Sequence, residues 1–98
     1  MPLLDSKQIK LQLEAVPEWT KRAKTIGRTF KFEGFLDGIA FVGRIAPRAQ
    51  KLNHHPDIDI RYNKVSLTLS SHDEGGITDL DFTLAKQCDE VFEKHFGS

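Results

Sequence analysis

The chain has 98 residues, a length typical of one domain with a modest core, so residues 1–98 are predicted to form a single domain. Its 14 basic and 14 acidic side chains cancel, which argues against a nucleic-acid-binding function. No apolar run approaches the roughly 20 residues that cross a bilayer, the N-terminus does not resemble a signal peptide, and Cys88 is the only cysteine. We therefore expect a cytoplasmic protein with neither nucleic-acid nor membrane partners.

The first predicted element is a helix that Asp5 or Ser6 can cap and that Pro17 would end. A lone tryptophan is most often an anchor in a core or an interface, and we interpret Trp19 in this way. The apolar surface of the helix is predicted to consist of three side chains: Leu11, Leu13 and Val16.

A strand and a long helix are predicted next. Residues 28–33 alternate between polar and apolar, as in a strand with one buried face, and Gly27 separates this strand from an extended segment before it. From residue 35 the apolar residues recur at helical spacing and predict a helix over residues 35–52, which Pro47 would kink. The apolar positions are Phe30 and Phe32 in the strand and Phe35, Ile39, Val42, Ala46, Ala49 and Leu52 in the helix.

Two further strands are predicted at residues 58–62 and 65–70, because both segments alternate with period two. With Asn63-Lys64 as a two-residue turn, the register of this hairpin would place His55 opposite His72, on the polar face of the sheet. The apolar side chains then share the other face, in the pairs Tyr62 with Val65, Ile60 with Leu67, and Ile58 with Leu69.

The last predicted element is a helix over residues 79–96, which follows a Gly75-Gly76 loop. Thr78 and Asp81 form a capping box at its start. Its inner stripe is expected to contain Leu84, Cys88, Val91, Phe92 and His95, the last also placed to interact with the helix dipole. The order α-β-β-α-β-β-α predicts a two-layer α+β fold, in which three helices pack on one face of a four-stranded antiparallel sheet. The other face would stay open and carry the histidines.

Three histidines are the candidate functional residues: His54, His55 and His72. Imidazoles can divide the roles of acid and base near neutral pH, which suits general acid–base catalysis. The same three rings could instead bind zinc. However, adjacent histidines in an extended segment point apart and no His-x-His spacing is present, so no metal site is predicted. The remaining alternative is that all three are solvated turn residues without a function.

The pattern of His54-His55-Pro56, Tyr62, His72 and Asp81 resembles the active-site pattern of the pterin-4a-carbinolamine dehydratases. The resemblance is strong over about residues 28–92. It implies dehydration of 4a-hydroxytetrahydrobiopterin to quinonoid dihydropterin and water, which recycles the pterin cofactor of aromatic amino acid hydroxylases. It also implies that the three histidines are catalytic and that neither a metal nor an organic cofactor takes part.

Seven further residues are implied as binding or supporting residues: Gln50, Asn53, Pro56, Tyr62, Ser70, Ser71 and Asp81. The family often has Glu where this chain has Gln50 and sometimes has Asp where it has Asn53, so weaker activity or none is an open alternative. Members of the family form dimers and tetramers through sheet edges and helices, which implies a homodimer or homotetramer here. A non-catalytic adaptor that binds an unidentified protein is the alternative function.

Overall fold

Residues 2–97 form three α-helices and four strands in the predicted order. The structure is a computed structural model and describes residues 2–97. Its elements are α1 (Ser6–Leu13), β1 (Thr20–Arg22), β2 (Thr25–Lys31), α2 (Phe35–Leu52), β3 (Asp57–Arg61), β4 (Lys64–Leu69), a short 3-10 turn (His72–Glu74) and α3 (Asp79–His95).

The four strands form one antiparallel sheet in the order β1-β2-β4-β3, so the two hairpins join through their inner strands β2 and β4. Alternate residues of these inner strands are buried, because helices cover one face of the sheet only. The predicted two-layer α+β class is therefore confirmed. The buried side chains of the inner strands are Ile26, Phe30, Val65, Leu67 and Leu69.

Aromatic rings join the sheet to the helices. The ring of Phe30 on β2 lies 4.7 Å from that of Phe41 on α2 and 5.2 Å from that of Phe92 on α3, measured between centroids. Trp19 is buried and packs edge-on against Phe30 at 6.1 Å, so the prediction that it anchors the core is confirmed. Burial of each such ring stabilises the folded state by roughly 1.5–3 kcal/mol.

Helix α1 begins as predicted but differs from the prediction in its end and its buried face. Asp5 accepts a hydrogen bond from the backbone N–H of Gln8, whose side chain completes a capping box. The helix ends at Leu13, before Pro17. Its buried residue is Ile9, whereas Leu11 is 67% exposed, because two residues along a helix rotate the side chain by about 200°. The prediction that Leu11 lies on the buried surface was wrong.

The turn of the first hairpin lies at Ala23-Lys24, and the prediction of a boundary at Gly27 was wrong. Ala23 adopts φ 51°, and Thr25 Oγ1 donates to the Arg22 carbonyl at 2.9 Å. Gly27 instead lies inside β2, paired on both sides. A Cβ at this position would lie 3.1 Å from the Leu67 carbonyl oxygen, so the glycine permits a close approach of the two strands.

The second hairpin turns at Tyr62-Asn63, one residue earlier than predicted, and its register differs accordingly. Tyr62 takes φ 51°, and the Asn63 side chain donates to the Phe32 carbonyl at 2.8 Å, which holds the turn against the neighbouring strand. The predicted cross-strand pairs were wrong by two positions. A shift of two keeps every side chain on its face, so the apolar face is preserved. The observed pairs include Ile60 with Val65 and Ile58 with Leu67.

The two long helices follow the prediction closely. Helix α2 spans Phe35–Leu52, as predicted, with Pro47 on its exposed side. Helix α3 begins with the predicted box of Thr78 and Asp81 and ends at His95. His95 is exposed and lies 3.4 Å from Arg44, so its assignment to the inner stripe was wrong. Within residues 2–97, no helix combines the length and the apolar character needed to cross a bilayer.

Candidate active site

The three candidate histidines line one cavity of about 320 Å³. The cavity lies where the chain leaves α2, leaves β4 and enters α3, at the end of the sheet. The expectation that the histidines lie on the open sheet face was wrong, because β3 begins only at Asp57 and β4 ends at Leu69. His55 and His72 are therefore outside the ladder and do not form a cross-strand pair. The lining residues are Asn53, His54, His55, Ser70, Ser71, His72, Asp73, Glu74, Thr78 and Leu80.

The end of α2 separates the two adjacent histidines. Asn53 adopts a left-handed conformation with φ 50° and ψ 43°, which terminates the helix. The backbone N–H of His54 still donates to the Ala49 carbonyl at 3.0 Å. His54 is then buried and His55 is exposed, as expected for neighbours that point in opposite directions. Asn53 therefore shapes the site through its backbone and also lines the cavity.

His54 binds a buried carboxylate. Its Nε2 atom lies 2.5 Å from Oδ1 of Asp81, a residue of α3 with no exposed surface. The other oxygen, Oδ2, accepts from the backbone N–H of Thr78 at 2.9 Å and from Ser71 Oγ at 3.0 Å. Asp81 thus serves as the capping-box residue of α3, as predicted, and is also the hydrogen-bond partner of His54.

His55 has a neutral partner on the surface. Its Nε2 atom lies 2.8 Å from Oε1 of Gln50, one turn back on α2. Gln50 and Pro56 do not line the histidine cavity; with His55 they line an adjoining apolar groove. Gln50 and Pro56, both predicted supporting residues, therefore adjoin the cavity only through His55, which lines both the cavity and the groove.

The loop after β4 carries His72 and is closed by backbone hydrogen bonds. Ser71 and Gly76 form an isolated bridge, and Gly75 takes φ 78°, which ends the 3-10 turn and lets the chain return. His72 is exposed at the mouth of the cavity, beside Asp73 and Glu74. Ser70, which the resemblance implies as a supporting residue, also lines the cavity.

Tyr62, another predicted site residue, lines neither the cavity nor the adjoining groove. It is 71% exposed in the hairpin turn, and five strand residues, about 17 Å of extended chain, separate it from the start of β3. Within this chain it does not contact the histidines, because the cavity lies at the opposite end of the hairpin.

Thr78 lies at the site, although its position in the sequence predicted only a helix cap. It is buried, it lines the cavity, and its Oγ1 lies 2.8 Å from Ser71 Oγ. The Thr-x-x-Asp spacing contained the signal, since the box brings this hydroxyl beside the carboxylate of Asp81. Among residues 2–97, no group of three or more His, Cys, Asp or Glu side chains is arranged to hold a metal ion.

The arrangement offers three imidazoles in three environments around one cavity. One ring is buried against a carboxylate, one is exposed against an amide, and one is exposed at the mouth. Imidazoles that line one cavity from different elements can supply the acid and the base that act on one substrate.

The family model for pterin 4 alpha carbinolamine dehydratase matches residues 2–91. The chain belongs to this family. A relative from Mycobacteroides abscessus, provisionally named a pterin-4-alpha-carbinolamine dehydratase, is 48% identical over 89 residues, 91% of this chain and 95% of its own length. A relative of the same provisional name from Herpetosiphon aurantiacus is 48% identical over 92 residues, 94% of this chain and 96% of its own.

Solved structures share the fold. A crystal structure from Brucella melitensis, described as a transcriptional coactivator/pterin dehydratase, is 34% identical, with a TM-score of 0.87 over 90% of this chain and 96% of its own. A pterin dehydratase-like protein described as a RuBisCO assembly factor of the alpha-carboxysome is 21% identical, with a TM-score of 0.64 over 76% of this chain and 88% of its own, and shows the fold alone.

Proposed function

We propose that this protein dehydrates 4a-hydroxytetrahydrobiopterin to quinonoid dihydropterin and water, and so recycles the pterin cofactor of aromatic amino acid hydroxylases. The observation that carries the proposal is the meeting of His54, His55 and His72 around one cavity, in a chain of the dehydratase family. A cavity of about 320 Å³ is at the lower end of the range of small-molecule sites and suits a flat bicyclic ring.

The proposed reaction needs a base and an acid and no cofactor. A base removes the proton from the ring nitrogen beside the 4a carbon, and the electron pair forms a carbon–nitrogen double bond. The 4a-hydroxyl then leaves as water after taking a proton from an acid. Imidazoles on different walls of the cavity can perform the two transfers, because both their charged and neutral forms are accessible near neutral pH.

Gln50 and Asn53 are two uncharged residues at positions of the proposed site where members of the family can have carboxylates. Gln50 gives His55 a neutral partner, and Asn53 occupies a position where a carboxylate would add negative charge to the cavity. A carboxylate partner fixes the tautomer of an imidazole, whereas an amide can either donate to the ring or accept from it. We therefore expect a dehydratase that works through His54 and Asp81, with a slower contribution from His55.

The test is stopped-flow measurement of carbinolamine dehydration by the pure protein, by His72→Ala and by His95→Ala. His95 is the matched control, since it is the histidine at the far end of α3 and does not line the cavity. We expect rapid dehydration by the wild type and by His95→Ala, and a loss of about 100-fold or more in His72→Ala. A wild-type rate equal to that of the uncatalysed reaction would exclude the enzymatic function.

Self-association is part of the proposal. One side of α2 is apolar and exposed, with Leu36 at 75% and Ile39 at 39% exposure, and it continues into the apolar groove beside Pro47 and Pro56. Apolar surface of this extent on a small domain favours burial in an interface. We propose a homodimer or homotetramer formed through this surface, and Leu36→Glu is expected to reduce the mass measured by light scattering.

The same exposed surface supports the second candidate, a non-catalytic adaptor for another protein. The Brucella melitensis relative is described as a transcriptional coactivator as well as a dehydratase. The stopped-flow assay separates the two candidates, because an adaptor alone would leave the dehydration rate unchanged in every histidine variant. The single-domain organisation over residues 1–98 and a cytoplasmic location remain part of the proposal, the latter supported by a lone buried cysteine.

A further inference from the structure

We propose that Asp81, Ser71 and Thr78 act as positioning residues that fix His54 in the tautomer with its proton on Nε2, so that Nδ1 is the proton acceptor in the cavity. This inference rests on the proposed dehydratase function and deepens it by assigning the base. It concerns a hydrogen-bond network centred on the Asp81 carboxylate, which His54, Ser71 and the backbone N–H of Thr78 contact directly and the Thr78 hydroxyl contacts through Ser71.

The direction of each hydrogen bond follows from the donors available. The carboxylate of Asp81 can only accept when ionised, so Ser71 Oγ donates its single proton to Oδ2. Because the Ser71 proton is used in that bond, Ser71 Oγ can only accept from Thr78 Oγ1, which donates its own proton and accepts from the backbone N–H of Leu80 at 3.2 Å. The backbone N–H of Thr78 also donates to Oδ2. The network thus satisfies an ionised carboxylate at the N-terminus of α3, where the helix dipole favours negative charge.

The remaining carboxylate oxygen decides the tautomer of His54. Oδ1 of Asp81 faces Nε2 of the imidazole at 2.5 Å and has no proton of its own to offer. Nε2 must therefore be the donor, and in the neutral ring the lone pair then belongs to Nδ1. Histidines oriented by a buried carboxylate act in this form as bases in unrelated enzymes, because the carboxylate also stabilises the imidazolium that forms.

Nδ1 of His54 has access to the cavity. Within residues 2–97 the structure shows no hydrogen bond to this atom. In the same residues, every buried side-chain nitrogen or oxygen has a hydrogen-bond partner. Nδ1 is therefore at the surface, and the surface that His54 lines is the wall of the cavity. A substrate ring nitrogen there would give its proton to Nδ1, while the hydroxyl leaves as water with a proton from a second, protonated imidazole.

Within residues 2–97 the other two histidines are not hydrogen-bonded to a carboxylate, which distinguishes His54 as the base. His55 faces the amide of Gln50, and His72 is exposed at the mouth of the cavity. An amide can accept or donate, so it does not select one tautomer of the ring. His55 and His72 remain the candidates for the acid.

The first experiment reads the tautomer directly by ¹⁵N NMR of the histidine rings in the free protein. We expect the proton of neutral His54 on Nε2 and an unprotonated Nδ1. The sharper arm is Asp81→Asn: the backbone N–H of Thr78 requires the amide oxygen, so the NH₂ group must face His54 and force its proton onto Nδ1. A proton on Nδ1 in the wild type, or an unchanged tautomer in Asp81→Asn, would overturn the inference.

The second experiment tests Ser71 by kinetics. Ser71→Ala removes one donor to the carboxylate and is expected to lower kcat about tenfold with KM changed less than about twofold, whereas Ser71→Thr keeps the hydroxyl and restores kcat to within about threefold. Ser66→Ala is the matched control, since it deletes a serine that is likewise 2.8 Å from a threonine hydroxyl, Thr29, but lies on the open sheet face. Equal kcat values for Ser71→Ala and Ser66→Ala would overturn the role of Ser71.

The two experiments fail in different ways. If the free protein shows the expected tautomers but does not accelerate dehydration, the proposed function is wrong and the assignment of a base falls with it. If dehydration is rapid but the tautomer is not the expected one, the function stands and the positioning network is refuted.

Discussion

Helix α3 carries two carboxylates, eight residues apart, that hold aromatic side chains in different parts of the molecule. Asp81 binds His54 at the cavity, whereas Asp89 accepts from Trp19 Nε1 and from Arg28 Nη1, each at 2.8 Å. Burial raises the pKa of Asp89, and the Trp19 hydrogen bond and the Arg28 charge oppose this. The two sites use similar chemistry, a carboxylate with two or three donors.

The difference between the Asp81 and Asp89 sites lies in what their partners can reach. His54 lines a cavity, and the ring nitrogen that Asp81 leaves free can meet a substrate. At the Asp89 site the Arg28 guanidinium is covered by Phe30, whose ring centroid is 4.2 Å away, and lies 5.1 Å from that of Phe92. A buried polar cluster therefore indicates a functional site only where one of its members has a donor or acceptor atom that faces a cavity and is not bonded within the protein.

The largest expected effect concerns activity. Asp81→Asn should reduce kcat by about 10³–10⁴-fold because it leaves His54 in the wrong tautomer, as removal of the orienting carboxylate does in other histidine-dependent enzymes. Asp89→Asn should change kcat by less than about threefold, since the Asp89 site does not touch the cavity. Stopped-flow kinetics of the two variants measures this difference in kcat. Comparable losses of kcat in both would show that the Asp81 and Asp89 sites do not differ in function.

The second effect concerns Cys88, which adjoins Asp89. Burial, reinforced by the charge of Asp89, raises the pKa of the Cys88 thiol from 9.0 to about 12. A shift of this size reduces the thiolate fraction near pH 8 about a thousandfold, so the folded protein should resist thiol-modifying reagents. Reaction with a chromogenic disulfide reagent should be complete only after denaturation. Rapid modification of the native protein would show that this part of α3 opens readily.

The third effect separates stability from activity. Trp19→Phe keeps a ring in the core but removes the donor to Asp89, and we expect it to lower the free energy of unfolding by about 1.5 kcal/mol, a factor of about ten. Urea denaturation measures the loss. The kcat of the folded protein should be unchanged, so a parallel fall in kcat would indicate that the Asp89 site communicates with the cavity.

The smallest expected effect concerns Gln50. Gln50→Glu places a negative charge beside His55 in an exposed position, where an ion pair stabilises its two members by about 0.5–1 kcal/mol. Because the proposal gives His55 a part in proton transfer, kcat near neutral pH should rise about threefold. Gln50→Met is the control, because it keeps the length of the side chain without its polar atoms. A pH–rate profile that is the same for both variants would show that His55 takes no part in proton transfer.

Local patterns were sufficient for much of the fold. The apolar period of residues 35–52 predicted α2 with its observed bounds, and the box of Thr78 and Asp81 predicted the start of α3. These features are encoded within a few consecutive residues, so no distant contact is needed to produce them. The family resemblance likewise depended on residue types and spacing, and it is confirmed by the match over residues 2–91.

Turns were predicted less well, because two of them use non-glycine residues in the left-handed region. Ala23 and Tyr62 both have φ 51°, a conformation that their side chains do not favour. The Tyr62-Asn63 turn is held by a hydrogen bond from Asn63 to the carbonyl of Phe32, 31 residues away in the chain. The predicted register failed for this reason, and with it the predicted pairing of His55 with His72.

By itself the sequence determined the order of the helices and strands, the bounds of α2 and the family, since each follows from residue type and short-range spacing. Tertiary structure alone decided which imidazole meets which partner. His54 and Asp81 are 27 residues apart, and their contact depends on how the end of α2 and the start of α3 meet at the end of the sheet. Proton positions follow from such long-range contacts, because a hydrogen bond depends on distances and angles that residue spacing along the chain does not specify.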